Sequence, residues 1–459
     1  MTPLETYKNI SVTAWIYLTL CIVTLLDALF SISFLLEIST ALIFIFVALE
    51  FMSVPRPQQI AGSILISLSL IAAAVSQDWQ TVIVEGVGRS RIFLLLFFAI
   101  SWLQAPAEES HSLGAVRANI VSQPPGRRYL YLAFGAHILG TVLNIAGLSL
   151  LTSIVEKQEN MLLKRRLSVA LMQGFTSASC WSPFYIGMIV VLVALPSLTW
   201  TDVAPAGALI ALCIVLSGWG FDRIALRGSR VTSTKINLQA IGRRDAGRAI
   251  FILISLVGLA MVAVELIDTN IPVALALIAP SYALIWYGSQ SKRDEKRAYR
   301  CSKLIRHVIR NLPRFRNESL VFVAANMFGV GIAAVLPSED LSATLNVLVP
   351  SADGKLLLLI ATFLVCSAVG LHPIIVVISV SAIFPPSALG LSDWIVALTF
   401  LGSWGISTMV SPFSGTTLFM SRVAGVQGHV IGWYWTPPTV LLGATVVGGV
   451  VILLRHLVI

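Results

Sequence analysis

The sequence predicts an all-α polytopic membrane protein, and three observations lead there. Of 459 residues, 57% are hydrophobic and only 12% are charged, where a soluble domain carries about 45–50% and about 25%. Apolar runs recur from residue 11 to residue 457 with no long polar stretch between them, which excludes a soluble domain held by one anchor. The runs are also too long and too uniformly apolar for the alternating segments of about ten residues that build a bacterial outer-membrane barrel.

The elements follow in order. Plain helices are predicted over 11–30, 33–53, 59–76, 88–103, 203–222, 249–267, 271–289, 317–336 and 433–455, each near the ~20 residues needed to cross a bilayer. The first run lacks a small-residue cleavage site and more spans follow it, so it reads as a retained helix rather than a signal peptide. Four segments, 129–155, 165–197, 355–386 and 393–427, run longer. A straight helix of about 33 residues is about 50 Å long, against a hydrocarbon core of about 30 Å. Each of the four holds Gly, Pro, Asn, Ser or Thr near its middle, so each must fold back or break. The expectation is about 11 spans plus two re-entrant hairpins.

Charge sorts the four. The chain has 31 Lys+Arg against 22 Asp+Glu, a net +9. The basic residues gather in short segments between apolar runs, as membrane topology requires, so nucleic acid is not an expected partner. Residues 223–248 hold Arg223, Arg227, Arg230, Lys235, Arg243, Arg244 and Arg248; residues 290–316 hold ten more, from Lys292 and Arg293 to Arg314 and Arg316. Both are expected to be cytoplasmic loops, which also places the N-terminus in the cytoplasm. Segment 129–155 has Arg127 and Arg128 before it and Lys157 after it, the mark of a hairpin that enters and leaves on one side. Segment 165–197 follows Lys164, Arg165 and Arg166 into the membrane. Segment 355–386 enters and leaves on the far side, where only Lys355 is basic. Arg89 and Arg91 do not fit the scheme. The five cysteines show no paired spacing, so neither a disulfide framework nor a zinc site is expected.

A repeat runs through this pattern. Residues 174–185 read GFTSASCWSPFY and residues 402–414 read GSWGISTMVSPFS, which sets Ser182-Pro183-Phe184 and Ser411-Pro412-Phe413 229 positions apart. The same offset carries Asn144 onto Pro373, beside His372, and carries 93–100 onto 322–329. Plain helix, hairpin and broken helix recur in one order, and by charge the two copies face opposite ways. Inverted repeats with discontinuous helices build many secondary transporters, with the ligand site at the midplane.

The interruptions supply the chemistry. Ser is a preferred N-cap and Pro fits the first helical position, so Ser182-Pro183 and Ser411-Pro412 are expected to start half-helices. Asn144 and His372-Pro373 are expected to start two more. Helix N-termini attract anions, so four of them would make an anion site lined by Asn144, Ser182, Pro183, His372, Ser411 and Pro412. Thr176, Ser177, Ser179, Ser407 and Thr408 end the preceding half-helices. Their hydroxyls and carbonyls suit a hard coupling cation, with sodium and proton both open. The competing reading makes these hydroxyls partners of their own helix carbonyls and the prolines mere kinks. Histidine titrates near neutrality, so His372 is a candidate for substrate or proton, while His137 reads as structural. Asp27, Glu37, Glu50, Glu85 and Glu265 read as interfacial or packing charges. Apart from Asp393 at the very start of the last one, no carboxylate lies in the broken segments, which favours an anionic or neutral solute over a cation. A phosphate loop with Lys, H-E-x-x-H and G-x-S-x-G are all missing from the sequence, so no enzyme and no bound cofactor is expected, and transport would draw on an ion gradient.

This arrangement across about 85–459 resembles the ion transporter superfamily, which includes the divalent-anion/sodium symporters and metalloid-anion exporters. Those symporters carry Ser-Asn-Thr at their hairpin tips. Here the tips read Leu143-Asn144-Ile145 and Leu371-His372-Pro373, so Asn144 matches and the second tip departs. The resemblance implies elevator-type alternating access, often in a homodimer, in a bacterial inner membrane. The expected organisation is N-terminal scaffold helices over 1–84, a first repeat over 85–222, basic loops and a helix pair over 223–316, and the second repeat over 317–459. The expected function is ion-coupled transport of a small carboxylate or oxyanion. The alternatives are export of a metalloid or drug-like solute, flipping of a lipid-linked intermediate, and, from another class, a membrane enzyme or scaffold.

Overall fold

A computed structural model describes residues 10–225, 243–290 and 296–458. It is helical, with no strand among those residues. Nine helices among them are long and apolar enough to cross a membrane, or ten if one bent pair counts as a span. The expected basic positions Arg227, Arg230, Lys235, Lys292 and Arg293 lie outside the described residues.

The helices are α1 (Val12–Phe30), α2 (Ser33–Glu50), α3 (Arg56–Ser76), α4 (Arg91–Glu108), α5 (His111–Val121), α6 (Pro125–Leu143), α7 (Ile145–Ser149), α8 (Met161–Ser177), α9 (Ile186–Ala194) and α10 (Trp200–Ala225). Then come α11 (Arg243–Ile267), α12 (Ile271–Ser289), α13 (Arg297–Asn311), α14 (Arg316–Val335), α15 (Ser338–Leu348), α16 (Ala352–Ala368), α17 (Pro373–Ile383), α18 (Asp393–Val410), α19 (Gly415–Ala424) and α20 (Pro437–Val458). Each predicted plain helix has its counterpart here, because a run of about 20 apolar residues can satisfy its backbone in lipid only by coiling.

The chain divides into two compact units that interleave along the sequence. One comprises Met1–Pro106 and Gly258–Val335. In it α3 lies along α14, with Gly62 against Leu320 and Gly331 against Ser69 and Ala72. Its centre is aromatic: Tyr17 packs edge-on to Phe46 at 5.0 Å and donates its hydroxyl to the Leu94 carbonyl at 3.0 Å. The two arginines that broke the charge pattern are neutralised here. Arg91 pairs with Asp27 at 2.6 Å and Arg89 with Glu85 at 3.4 Å. Glu50 is likewise paired, with Arg316 at 3.2 Å.

The segment 290–316, expected to be a loop, is largely the helix α13. Arg300, Leu304 and Val308 recur every fourth residue and are buried, while Lys303, Arg306 and Arg310 stay exposed. Arg300 is accommodated inside because its Nε donates to the Tyr287 carbonyl at 2.8 Å and its guanidinium lies 4.1 Å over the Tyr287 ring. Charge counting hid an amphipathic period that a helix satisfies.

The second unit comprises Ala107–Val257 and Leu336–Ile459 and holds all four interrupted segments. Helix α8 packs so closely on α6 that a β-carbon on Gly174 would collide with the Ala133 carbonyl. Inside this contact Tyr129 donates to Gln173 Oε1 at 2.6 Å, and Gln173 Nε2 donates to the Ile214 carbonyl of α10 at 2.7 Å. Arg166 and Asp222 join α8 to α10 through two parallel bonds, at 2.9 and 2.8 Å.

Candidate functional site

The site is built from four interruptions, all within the second unit. At the first, α6 ends and the chain reverses at Asn144. This residue has φ 53° and ψ −136°, a region that L side chains rarely enter. Its N–H donates to the Gly140 carbonyl at 3.0 Å, and its Oδ1 accepts the Ile145 N–H at 2.9 Å. Helix α7 then folds back on α6: a β-carbon on Gly147 would collide with the Leu139 carbonyl, so this position needs glycine. Helix α7 is only five residues long, so this tip offers a side-chain amide more than a helix dipole.

At the second interruption, α8 passes through one 3₁₀ turn, Ala178–Cys180, and the helix resumes only at Ile186. Ser182-Pro183 therefore does not start α9; Tyr185 precedes it. The Ser182 hydroxyl has another task. It donates to the Thr141 carbonyl at 2.6 Å and accepts the Phe184 N–H at 3.2 Å, tying the break to α6. A relay crosses beside it. Trp181 donates its indole N–H to His137 Nε2 at 3.0 Å, and His137 Nδ1 lies 2.9 Å from Ser177 Oγ, which donates to the Gly174 carbonyl at 2.8 Å. An indole N–H is only a donor, so Nε2 must accept and the proton sits on Nδ1. His137 thus has a neutral, structural setting.

At the third, α15 and α16 meet at 107°, and α16 ends before Gly370, whose φ of 98° needs glycine. Helix α17 begins at Pro373 with His372 as its N-cap. His372 Nδ1 accepts the Ile374 N–H at 3.3 Å, and its ring stands edge-on to Trp404 at 5.7 Å.

At the fourth, α18 ends at Val410, and Ser411 is buried in the break. The expected start at Ser411-Pro412 moves three residues on: Ser414 caps α19, accepting the Thr417 N–H at 3.1 Å. Ser414 also donates to the Thr408 carbonyl at 2.6 Å, and Thr436 donates to the Met409 carbonyl at 2.9 Å. These carbonyls, orphaned at the end of α18, are thereby satisfied. Pro412 sits against Gly428 and Gly432.

The five hydroxyls expected to face a cation all donate to a carbonyl three residues back. Thr176 reaches Gln173, Ser177 reaches Gly174, Ser179 reaches Thr176, Ser407 reaches Trp404 and Thr408 reaches Gly405. Ser179 shares its single hydroxyl proton between the Thr176 carbonyl and, at 3.2 Å, the Leu401 carbonyl of α18. There the two broken helices cross, with Gly405 lying on the Thr176 carbonyl and on Ser179.

The four interruptions join in a closed circuit. A β-carbon on Gly415, the first residue of α19, would come within 3.9 Å of the Ile145 side chain of the first tip. Phe413 lies on Gly370, two residues before His372. Trp404, beside His372, is packed on Gly187 in the first turn of α9. Ser182, on the same break, returns to Thr141 and so to Asn144. The first tip thus faces a break of the other half of the sequence, and the second reaches the other half through Trp404. Thr141, Trp181, Trp404 and Ser414 escaped the sequence analysis, and Phe413 stood in the repeated motif without a role. Only Ser414 had a local signal, Ser-x-x-Thr before a helical run. Among the described residues no group of three His, Cys, Asp or Glu is placed to hold a metal.

No family model matches the chain, and no curated protein matches it. Among solved structures it is similar to the YdaH transporter of Alcanivorax borkumensis, whose topology is described as unusual. The TM-score is 0.55 at 13% identity, over 86% of this chain and 98% of that one. The likeness is one of fold, and the neighbour is a transporter.

Proposed function

We propose that this chain is an ion-coupled secondary active transporter of a small anionic solute, a carboxylate or an oxyanion. The closed circuit of contacts among the four interruptions carries the reading. It supports a reading in which the N-termini of α9, α17 and α19 and the Asn144 amide face one locus, and amides at helix starts favour anions. Asn144, Ser182, His372 and Ser411 line that locus beside Pro183 and Pro412. The coupling ion would be held by oxygens of Thr176, Ser177, Ser179, Ser407 and Thr408, whose hydroxyls donate their protons to their own helix carbonyls and so can offer a cation only lone pairs.

On this reading α6–α7 and α16–α17 are re-entrant hairpins, and the halves are inverted copies. The 229-residue offset supports that: it makes Thr176 the counterpart of Gly405, and these two residues touch. A residue that packs on its own counterpart is what a two-fold relation between repeats requires at its axis. The likeness to a transporter fold supports transport in general, and the ion transporter superfamily with its elevator motion is the closest description of the pattern. The chain would sit in a bacterial inner membrane with its basic segments in the cytoplasm.

Purified protein in proteoliposomes should accumulate an anion from a panel of carboxylates and oxyanions when a sodium or proton gradient is imposed. The alanine variants of Asn144, Ser182, His372 and Ser411 should reach the membrane and lose flux. Wild-type flux in all four would overturn the site.

A further inference from the structure

We infer that a cleft between α6 and α10 is a binding site for the headgroup of an anionic phospholipid. The cleft has a volume of about 490 Å³ and is lined by Pro124, Arg127, Leu130, Tyr131, Trp219 and Arg223. Two arginines reach it from two different helices, and no carboxylate lines it. Arg223 lies 5.6 Å over the Trp219 ring, which fixes one wall. Arg127 is exposed, whereas its neighbour Arg128 turns inward, 5% exposed, and donates to the Gln123 carbonyl at 3.1 Å. The chain therefore spends one arginine on its own backbone and leaves the other at the cleft.

The helix faces leading from the cleft select a lipid. On α10, Arg223, Trp219, Leu216, Leu212 and Leu209 follow one another at intervals of four, three, four and three residues, a single helical face. The three leucines are exposed. On α6, Arg127, Tyr131, Phe134 and Ile138 repeat the order, with Tyr131 and Ile138 exposed. Each face thus runs from cation to aromatic to aliphatic. That is the order in which a phospholipid presents phosphate, glycerol and acyl chain, and basic pockets between membrane helices suit anionic headgroups. A free phosphate would use the arginines and have no use for the aliphatic track. The site does not depend on the transport reading.

Native mass spectrometry of the solubilised protein tests this, titrated with phosphatidylglycerol, with phosphatidylcholine of the same chains, and with inorganic phosphate. The expected result is a discrete phosphatidylglycerol adduct that outlasts the phosphatidylcholine adduct and is not displaced by phosphate. R127Q/R223Q should weaken it about thirtyfold and R127Q alone about fivefold, as expected for about 1 kcal/mol per basic residue at a charged surface. The control R306Q/R310Q on α13 should leave it unchanged. Equal retention of the two lipids would overturn the inference. So would loss of the adduct to phosphate alone, or an R127Q variant that retains phosphatidylglycerol as the parent does.

Discussion

Replacing Gly405 by alanine is expected to separate the two broken helices where they cross. The new β-carbon would collide with the Thr176 carbonyl and with Ser179 Oγ. The carbonyl is backbone and cannot rotate away, so α18 must retreat by about 1 Å to restore an ordinary contact. That retreat stretches the 3.2 Å bond from Ser179 to the Leu401 carbonyl beyond bonding range. Overpacking of this kind costs about 1–3 kcal/mol, and the lost hydrogen bond adds about 1 kcal/mol, giving about 2–4 kcal/mol together. Helix propensity favours alanine by about 1 kcal/mol and offsets part of this. The same substitution at Gly220 supplies the control, since a β-carbon there meets nothing within 4 Å; G220A should be neutral or slightly stabilising. The assay is denaturant unfolding of the detergent-solubilised protein followed by tryptophan fluorescence, with flux measured in parallel. G405A as stable as G220A would refute the close crossing.

Asn144 separates backbone from side chain. N144G should unfold within about 0.5 kcal/mol of the parent and N144A should lose about 1–3 kcal/mol, yet both should lose flux if the amide holds the solute; wild-type flux in N144G would reduce Asn144 to a turn residue. At the last break, S414A forfeits a cap and a bond to Thr408, about 2 kcal/mol in all, and S411A should cost less than half of that. An unfolding series with the reverse order would contradict the helix start at Gly415. Asp222 and Arg166 have side chains 6% and 21% exposed, so D222N leaves a mostly buried cation and should cost about 3 kcal/mol. R166Q/D222N should recover about 1–3 kcal/mol of the summed single losses, and strictly additive losses would show that the pair is not coupled.

What the sequence disclosed is what one-dimensional hydropathy can encode. A span announces itself by length, and an interruption announces itself by a polar or proline residue inside an apolar run. Hence the plain helices, and the helix start at His372-Pro373, lie where the sequence put them. Capping was less legible. Ser411 and Ser414 are both serines before a helix, and the choice between them turns on which one reaches Thr408, a contact made across the break. The bonds of the relay through His137 and the Arg166–Asp222 pair join residues 40 to 56 positions apart, so a single sequence holds no trace of them. Helix α13 is the opposite case: its period was present at Arg300, Leu304 and Val308, but ten basic residues outweighed it. Arg89 and Arg91 looked anomalous because an ion pair cancels a topology charge without changing the count.

The central claim is that a hairpin tip from one half and a broken helix from the other enclose a single anion site. Its most direct measurement is cross-linking of an Ile145→Cys, Gly415→Cys variant, made without the five native cysteines, by a short bifunctional thiol reagent in intact membranes. Rapid cross-linking is expected, slowed by the transported anion and arresting flux. Two thiols that never join, or that join with flux and anion sensitivity untouched, would contradict that claim.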